Sequence, residues 1–345
     1  MSSDAAVASP ESSARLLALR IAFGMLLGFV LAAVFRLEFF FLPPLLAVQM
    51  LALIRRPPSL AQGAGIFFMM AVLAVITLVV SSAFTRQPLI YVALMGLLLF
   101  FGFLLDSVGN AMLATFVLML GATIPLVVVQ STEAATLLSA ELIEATAIAL
   151  LTVWAVFAAF PSTAPASSTS VSQPTSSPRA ALTNLLLLVP VLLLFLFDSN
   201  LSLVVVIVIV NIVRQRHRGM ASQTALGLLF GNVLGGVVAT IAYFFISIRS
   251  GPIFFLLIAL LVGLILGGRA AVAGTRAPVY TVALASFIIL LGLGVSPLPS
   301  ETGTLFVERL INVLLAGVYA VSAIALVSPS SMARTEDKEQ MPAPR

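Results

Sequence analysis

The chain has 345 residues, 61% of them hydrophobic and only 9% charged, with a formal net charge of +4. Soluble domains carry roughly 25% charged residues, so water cannot be the solvent for this composition and a bilayer must be. The arginines are scattered at the ends of apolar runs rather than collected on one face, which excludes a nucleic-acid interface. No cysteine and one histidine exclude disulfides, thiol catalysis and a multi-histidine metal site.

Polar residues 1–14 open the chain as a disordered segment. Apolar runs follow at about 16–35, 39–54, 63–83, 89–105, 108–129 and 141–160, each read as a helical span and the first as uncleaved. Residues 161–178 are rich in Ser, Thr, Pro and Ala and read as a flexible linker. Six more runs lie at about 181–197, 201–213, 225–247, 252–268, 277–295 and 307–327, before a polar tail at 328–345. Continuous rather than alternating hydrophobicity selects helices over a barrel. The expected fold is an all-α integral membrane protein of about 12 transmembrane helices.

The two sets of runs correspond. A basic turn, Ile54-Arg55-Arg56-Pro57-Pro58-Ser59, follows the second run, and Val213-Arg214-Gln215-Arg216-His217-Arg218 follows the eighth. A glutamine comes next in each half (Gln62, Gln223), leading into a glycine-containing run. The sixth and twelfth runs start on acidic residues, Glu141 and Glu144 in one half and Glu308 in the other. We therefore read residues 15–160 and 179–327 as two six-helix repeats, parallel because each holds an even number of spans. On this topology Arg15, Arg20, Arg55, Arg56, Arg179, Arg214, Arg216, Arg218, Arg269, Arg276, Arg334, Lys338 and Arg345 share one side. Only Arg36, Arg86, Arg249 and Arg309 fall on the other. The positive-inside bias then makes both termini cytoplasmic.

Candidate functional residues follow from this plan. Arg55, Arg56, Arg214 and Arg218 can attract anions at a cytoplasmic mouth, since guanidinium pairs with carboxylate at every pH; anchoring to anionic headgroups is the competing role. Gln49, Asn211 and Asn232 are neutral polar groups within spans, suited to lining a path or to tying helices together. Asp106, Glu144 and Glu308 are candidates for proton coupling; Asp106 can alternatively cap the next helix, and Glu141 and Glu144 can face a helix N-terminus. His217 reads as an exposed loop residue. Pro125 and Pro190 read as kinks, and Gly24/Gly28, Gly227/Gly231/Gly235 and Gly263/Gly267 as close-packing stripes. Enzyme signatures and a P-loop are absent, so neither catalysis nor a cofactor is expected.

In Arg15-Leu16-Leu17-Ala18-Leu19-Arg20, Leu53-Ile54-Arg55-Arg56 with Gly63 and Gly65, Arg214 to Gly219 with Gly227 and Gly231, and Glu308-Arg309-Leu310-Ile311-Asn312 with Gly317, the chain resembles the fusaric-acid-resistance and aromatic-acid-exporter family. Segments 161–178 and 328–345 are too short for the large cytoplasmic domains common there, so the resemblance is to a compact branch. It implies a place in a bacterial inner membrane and efflux of aromatic acids or other small amphipathic organic compounds, driven by the proton-motive force. It also implies a periplasmic membrane-fusion adaptor as partner, besides membrane lipid, and is compatible with a homo-oligomer. The competing reading is a non-transporting scaffold or assembly component of the envelope.

Overall fold

The computed structural model describes residues 10–54, 56–161, 181–188, 222–249 and 251–295, with five positions between 311 and 322. These residues form helices α1 (Pro10–Val34), α2 (Leu42–Leu53), α3 (Leu60–Phe84), α4 (Pro88–Ser107), α5 (Ala111–Gln130), α6 (Thr132–Ala159), α7 (Ser222–Ile248), α8 (Pro252–Val272) and α9 (Ala277–Val295), the last preceded by a 3-10 turn, Gly274–Arg276. No strand occurs among the described residues. All of these helices except α2 are long and apolar enough to cross a bilayer. The chain is a multi-pass membrane protein.

Local chemistry sets the helix ends. Ser59 accepts the Gln62 N–H while the Gln62 side chain accepts the Ser59 N–H, a reciprocal capping box that starts α3. Asn110 caps α5 by accepting the Leu113 N–H, and Ser131 caps α6 by accepting that of Ala134. Proline in the first turn starts α2, α4 and α8, where its missing N–H leaves no intrahelical bond unmade. At the end of α4 the Asn110 N–H reaches Leu105 O and the Gly109 N–H reaches Asp106 O, with Gly109 at φ 92°. That Schellman closure needs the left-handed conformation that glycine adopts without penalty.

Helix α3 shows how a bilayer reverses the usual face assignment. Its buried residues are Gly63, Met70, Ala74, Thr77 and Ser81, spaced seven, four, three and four apart and mostly small or polar. Phe67, Phe68, Val72, Val75, Ile76 and Val79 are exposed. Lipid tails are as apolar as leucine, so large side chains can face outward while small ones let backbones close up. The glycine stripes lie at such approaches. A Cβ on Gly28 would sit 2.6 Å from Cα of Pro44, one on Gly231 2.5 Å from the Val279 carbonyl oxygen, and one on Gly263 2.8 Å from Met25 Cε.

Helices α2, α6 and α9 lie at the centre. Nine of the twelve residues of α2 are buried, and Ala283, Leu284 and the run Phe287–Gly292 bury several faces of α9. Helix α1 packs mainly on α8 and α2, and α2 on α6 and α9, so elements before and after residue 180 interlock. An aromatic trio fixes one such contact: Phe255 of α8 lies 5.1 Å edge-on from Phe29 of α1 and 5.8 Å from Phe40.

Three sequence expectations need correction. The sixth span was expected to start at 141, but α6 begins at Thr132, so Glu133 occupies its first turn and Glu141 and Glu144 lie well inside. Asp106 does not cap a helix N-terminus; it belongs to the last turn of α4, and Asn110, expected inside a span, is the cap. The run at 39–54 yields only twelve helical residues, a length of roughly 18 Å against a hydrocarbon core of about 30 Å. Linker 161–178 apart from Pro161, most of spans seven and twelve, and span eight lie outside the described residues.

Candidate functional site

The arginine-bearing end of the bundle is built on the last two turns of α6. Trp154 donates its indole N–H to the Pro58 carbonyl at 2.8 Å, pinning the first basic turn, and its ring covers Gly63 at the start of α3. Arg20 is 7% exposed. Its Nε donates to the Phe160 carbonyl at 2.9 Å, and its guanidinium carbon stands 4.6 Å from the Phe157 ring centre. A cation placed on the terminal carbonyls meets the negative end of the α6 dipole and an aromatic face together. Arg56, the described arginine of that turn, is exposed. Gly267 packs on Ile21, which brings the α8 terminus with Arg269 to the same end, and Gly292 packs on Phe41, which leaves Arg276 there too.

The opposite end is held by Glu141, 5% exposed. Its two carboxylate oxygens accept the backbone N–H groups of Glu38 and Phe39, each at 2.7 Å. The turn they belong to closes α1 with a Schellman pattern, Leu37 N–H to Ala32 O and Arg36 N–H to Ala33 O, with Arg36 at φ 56°. A non-glycine residue there costs roughly 1–2 kcal/mol. Helix hydrogen bonds and Glu141 thus satisfy four consecutive N–H groups of a turn recessed by some 13 Å, nine residues of rise, below the start of α6. Glu144, one turn further in, is exposed.

Between these ends, Glu144 apart, the described polar groups are neutral. Ser286 donates to Asn232 Oδ1 at 2.6 Å, joining α9 to α7 in a buried contact beside Gly235. Gln49 is half-buried on α2. The structure therefore places Asn232 in a helix-tying role, Glu144 exposed on α6 one turn inward of Glu141, Arg56 exposed in the first basic turn, and Asp106 at the arginine end of α4. It does not bring these residues into one pocket. Arg55, Arg214, Arg218, Asn211, Glu308 and His217 lie outside the described residues.

Sequence reasoning missed a cleft. Helices α3 and α4 barely touch each other; both pack on α5. The gap holds a cavity of about 190 Å³, lined by Thr77, Ser81, Tyr91, Leu94, Leu98 and Pro125 among others. Ile76, Leu97 and Phe101 line it as well and are at least half exposed, so its mouth opens sideways. Tyr91 donates its hydroxyl to the Pro125 carbonyl, bracing α5 where proline removes a backbone donor. The Thr77 hydroxyl is buried with no hydrogen-bond partner among the described residues. Pro125 was the signal in the sequence; Tyr91, Trp154 and Arg20 act through partners far along the chain and leave none.

Among the described residues no group of His, Cys, Asp and Glu could hold a metal ion. Residues 17–159 match the model of a family described as "Protein of unknown function (DUF2955)", a membrane-protein family. Comparison with curated proteins and with solved structures gives no match. The family match starts in α1 and ends on the last residue of α6.

Proposed function

We propose that the chain is an inner-membrane efflux subunit exporting aromatic acids or other small amphipathic organic compounds. Transport is driven by the proton-motive force with a periplasmic adaptor as partner. In this reading twelve helices form two parallel six-helix repeats, residues 15–160 and 179–327, with both termini cytoplasmic.

The observation that carries it is a recurring triplet. Helix α5 packs on α3 and α4, and more on α4; α9 packs on α7 and α8, and more on α7; α3–α4 and α7–α8 contacts are sparse. Two like units facing one another give the relative movement that alternating access requires. The coincidence of the family match with α1–α6 supports the first unit. Charge supports the direction. Five described arginines gather with two acids, Glu11 and Asp106, at the Trp154 end, against three arginines and four glutamates at the Glu141 end. Anions would be drawn to the first mouth and not held at the second. Apart from Glu141 and Glu144 on α6, the described polar groups between the two ends are neutral, which fits an organic molecule better than a chain of proton-carrying carboxylates. The exporter resemblance in the sequence supplies the cargo class.

The test is accumulation of a panel of radiolabelled aromatic acids in energised cells with and without the gene. Lower accumulation with the gene, abolished by a protonophore, is expected; equal accumulation across the panel rejects export. A scaffold role is favoured by one observation, that the buried polar contacts Arg20–Phe160, Glu141–Phe39 and Ser286–Asn232 all serve packing. Purified protein in vesicles separates the two readings, because only a transporter moves cargo down an imposed gradient.

A further inference from the structure

The α3–α4 cleft has a length, a mouth and a charge that the export reading does not use. Along α4 it runs from Tyr91 to Phe101, roughly 15 Å of helix rise, which equals the depth of one leaflet in a core about 30 Å thick. Its volume of about 190 Å³ exceeds the roughly 150 Å³ of an apolar cavity that admits benzene. Polar atoms contribute little to its walls, and Ile76, Leu97 and Phe101 give it an apolar rim facing the bilayer. An empty apolar slot open to lipid fills with hydrocarbon, because its walls otherwise lose their dispersion contacts.

The top of the slot supplies the second element. Five residues above Ser81, and five before Tyr91, the α3–α4 turn presents Arg86, which is exposed. A guanidinium at headgroup level over an acyl-sized slot matches a phosphate esterified to a fatty chain. Glu38, Glu133, Glu141 and Glu144 lie on the turn before α2 and on α6, not on the two helices that frame the slot.

We propose that this cleft is a phospholipid site: one acyl chain lies between α3 and α4 against Leu94, Leu98 and Pro125, and its phosphate pairs with Arg86. The site belongs to the leaflet at the α3–α4 turn; calling that leaflet periplasmic rests on the orientation above, and the site itself rests on no transport activity. Tyr91, tied to Pro125, keeps α4 braced to α5 on the inner wall of the slot.

The experiment uses the full chain in nanodiscs containing phosphatidylglycerol with a diazirine in one acyl chain, followed by irradiation and mapping of adducts. Adducts concentrated on residues 76–101 are expected. Arg86→Gln should lower their yield about fivefold, the value of roughly 1 kcal/mol for one arginine at an anionic surface. Leu94→Trp should fill the slot and remove the adducts, with folding checked by an unchanged elution profile. Arg86→Gln, at an exposed position, keeps the test decisive if Leu94→Trp misfolds. Equal labelling of exposed Leu257 and Leu261 on α8, unchanged by Arg86→Gln, overturns the proposal. So does efficient labelling by a diazirine fatty acid that Arg86→Gln leaves untouched together with that of the phospholipid, since the slot would then bind chains without reading phosphate.

Discussion

Replacing Glu141 by alanine removes both acceptors from the Glu38 and Phe39 N–H groups. A buried donor left unsatisfied costs about 1–3 kcal/mol. Glu38 is exposed and Phe39 half-buried, so water repairs part of the loss and the pair is worth roughly 2–4 kcal/mol. At about 2 °C per kcal/mol for a chain of this size, Glu141→Ala should lower Tm by roughly 4–8 °C. Glu141→Gln keeps one acceptor oxygen and turns an amide N–H toward a backbone N–H, so it should lose at least half as much. The assay is thermal unfolding of purified protein in one detergent, monitored by loss of the monodisperse peak. A second readout uses Leu37→Cys, 6% exposed in the parent: it should react slowly with maleimide, and quickly once Glu141→Ala releases the turn. The native chain has no cysteine, so the signal has no background. An unchanged Tm in Glu141→Ala, with Leu37→Cys still protected, would refute the claim that Glu141 holds the turn.

The glycines divide into two groups. Gly28→Val and Gly231→Val push side chains into Pro44 and the Val279 carbonyl and should destabilise by about 1–3 kcal/mol, whereas Gly65→Ala, Gly96→Ala and Gly268→Ala meet nothing within 4 Å and should stabilise by roughly 0.5–1 kcal/mol; parallel Tm measurements separate the sets. Ser286→Ala and Asn232→Ala should show a coupling of roughly 0.6 kcal/mol in a double-mutant cycle, the size usual for interhelical hydrogen bonds in lipid. Trp154 is the only tryptophan, so its fluorescence reports the first basic turn: Pro58→Ala keeps the carbonyl and should leave the emission maximum in place, while Gly63→Leu should displace the indole and shift it.

Sequence and structure agree where hydrophobicity alone sets an element. The runs at 63–83, 252–268 and 277–295 became Leu60–Phe84, Pro252–Val272 and Ala277–Val295. Glycine spacing foretold close approach but not the partner, since Gly263 and Gly267 meet α1, some 240 residues away in sequence. The start of α6 was misplaced because residues 131–140 are too polar to read as membrane, although Ser131 followed by Glu133 is a helix-start signal. The central position of α2 has no local mark, because a twelve-residue apolar run looks alike inside protein or lipid. The candidate site fared less well. Arg56, Asp106 and Glu144 were chosen for charge at span ends, a property of topology that each helix end possesses. The α3–α4 cleft depends on two helices diverging, which neither sequence encodes alone.

Orientation is the most direct test of the account. Single cysteines replacing Ser59 in the turn before α3 and Thr85 in the turn after it, both exposed, are treated in intact cells with a membrane-impermeant maleimide. The account predicts rapid labelling of Thr85→Cys, and labelling of Ser59→Cys only after the membrane is permeabilised. Labelling of Ser59→Cys in intact cells, or equal labelling of both, would contradict a bilayer-spanning α3 with the arginine-bearing turn inside.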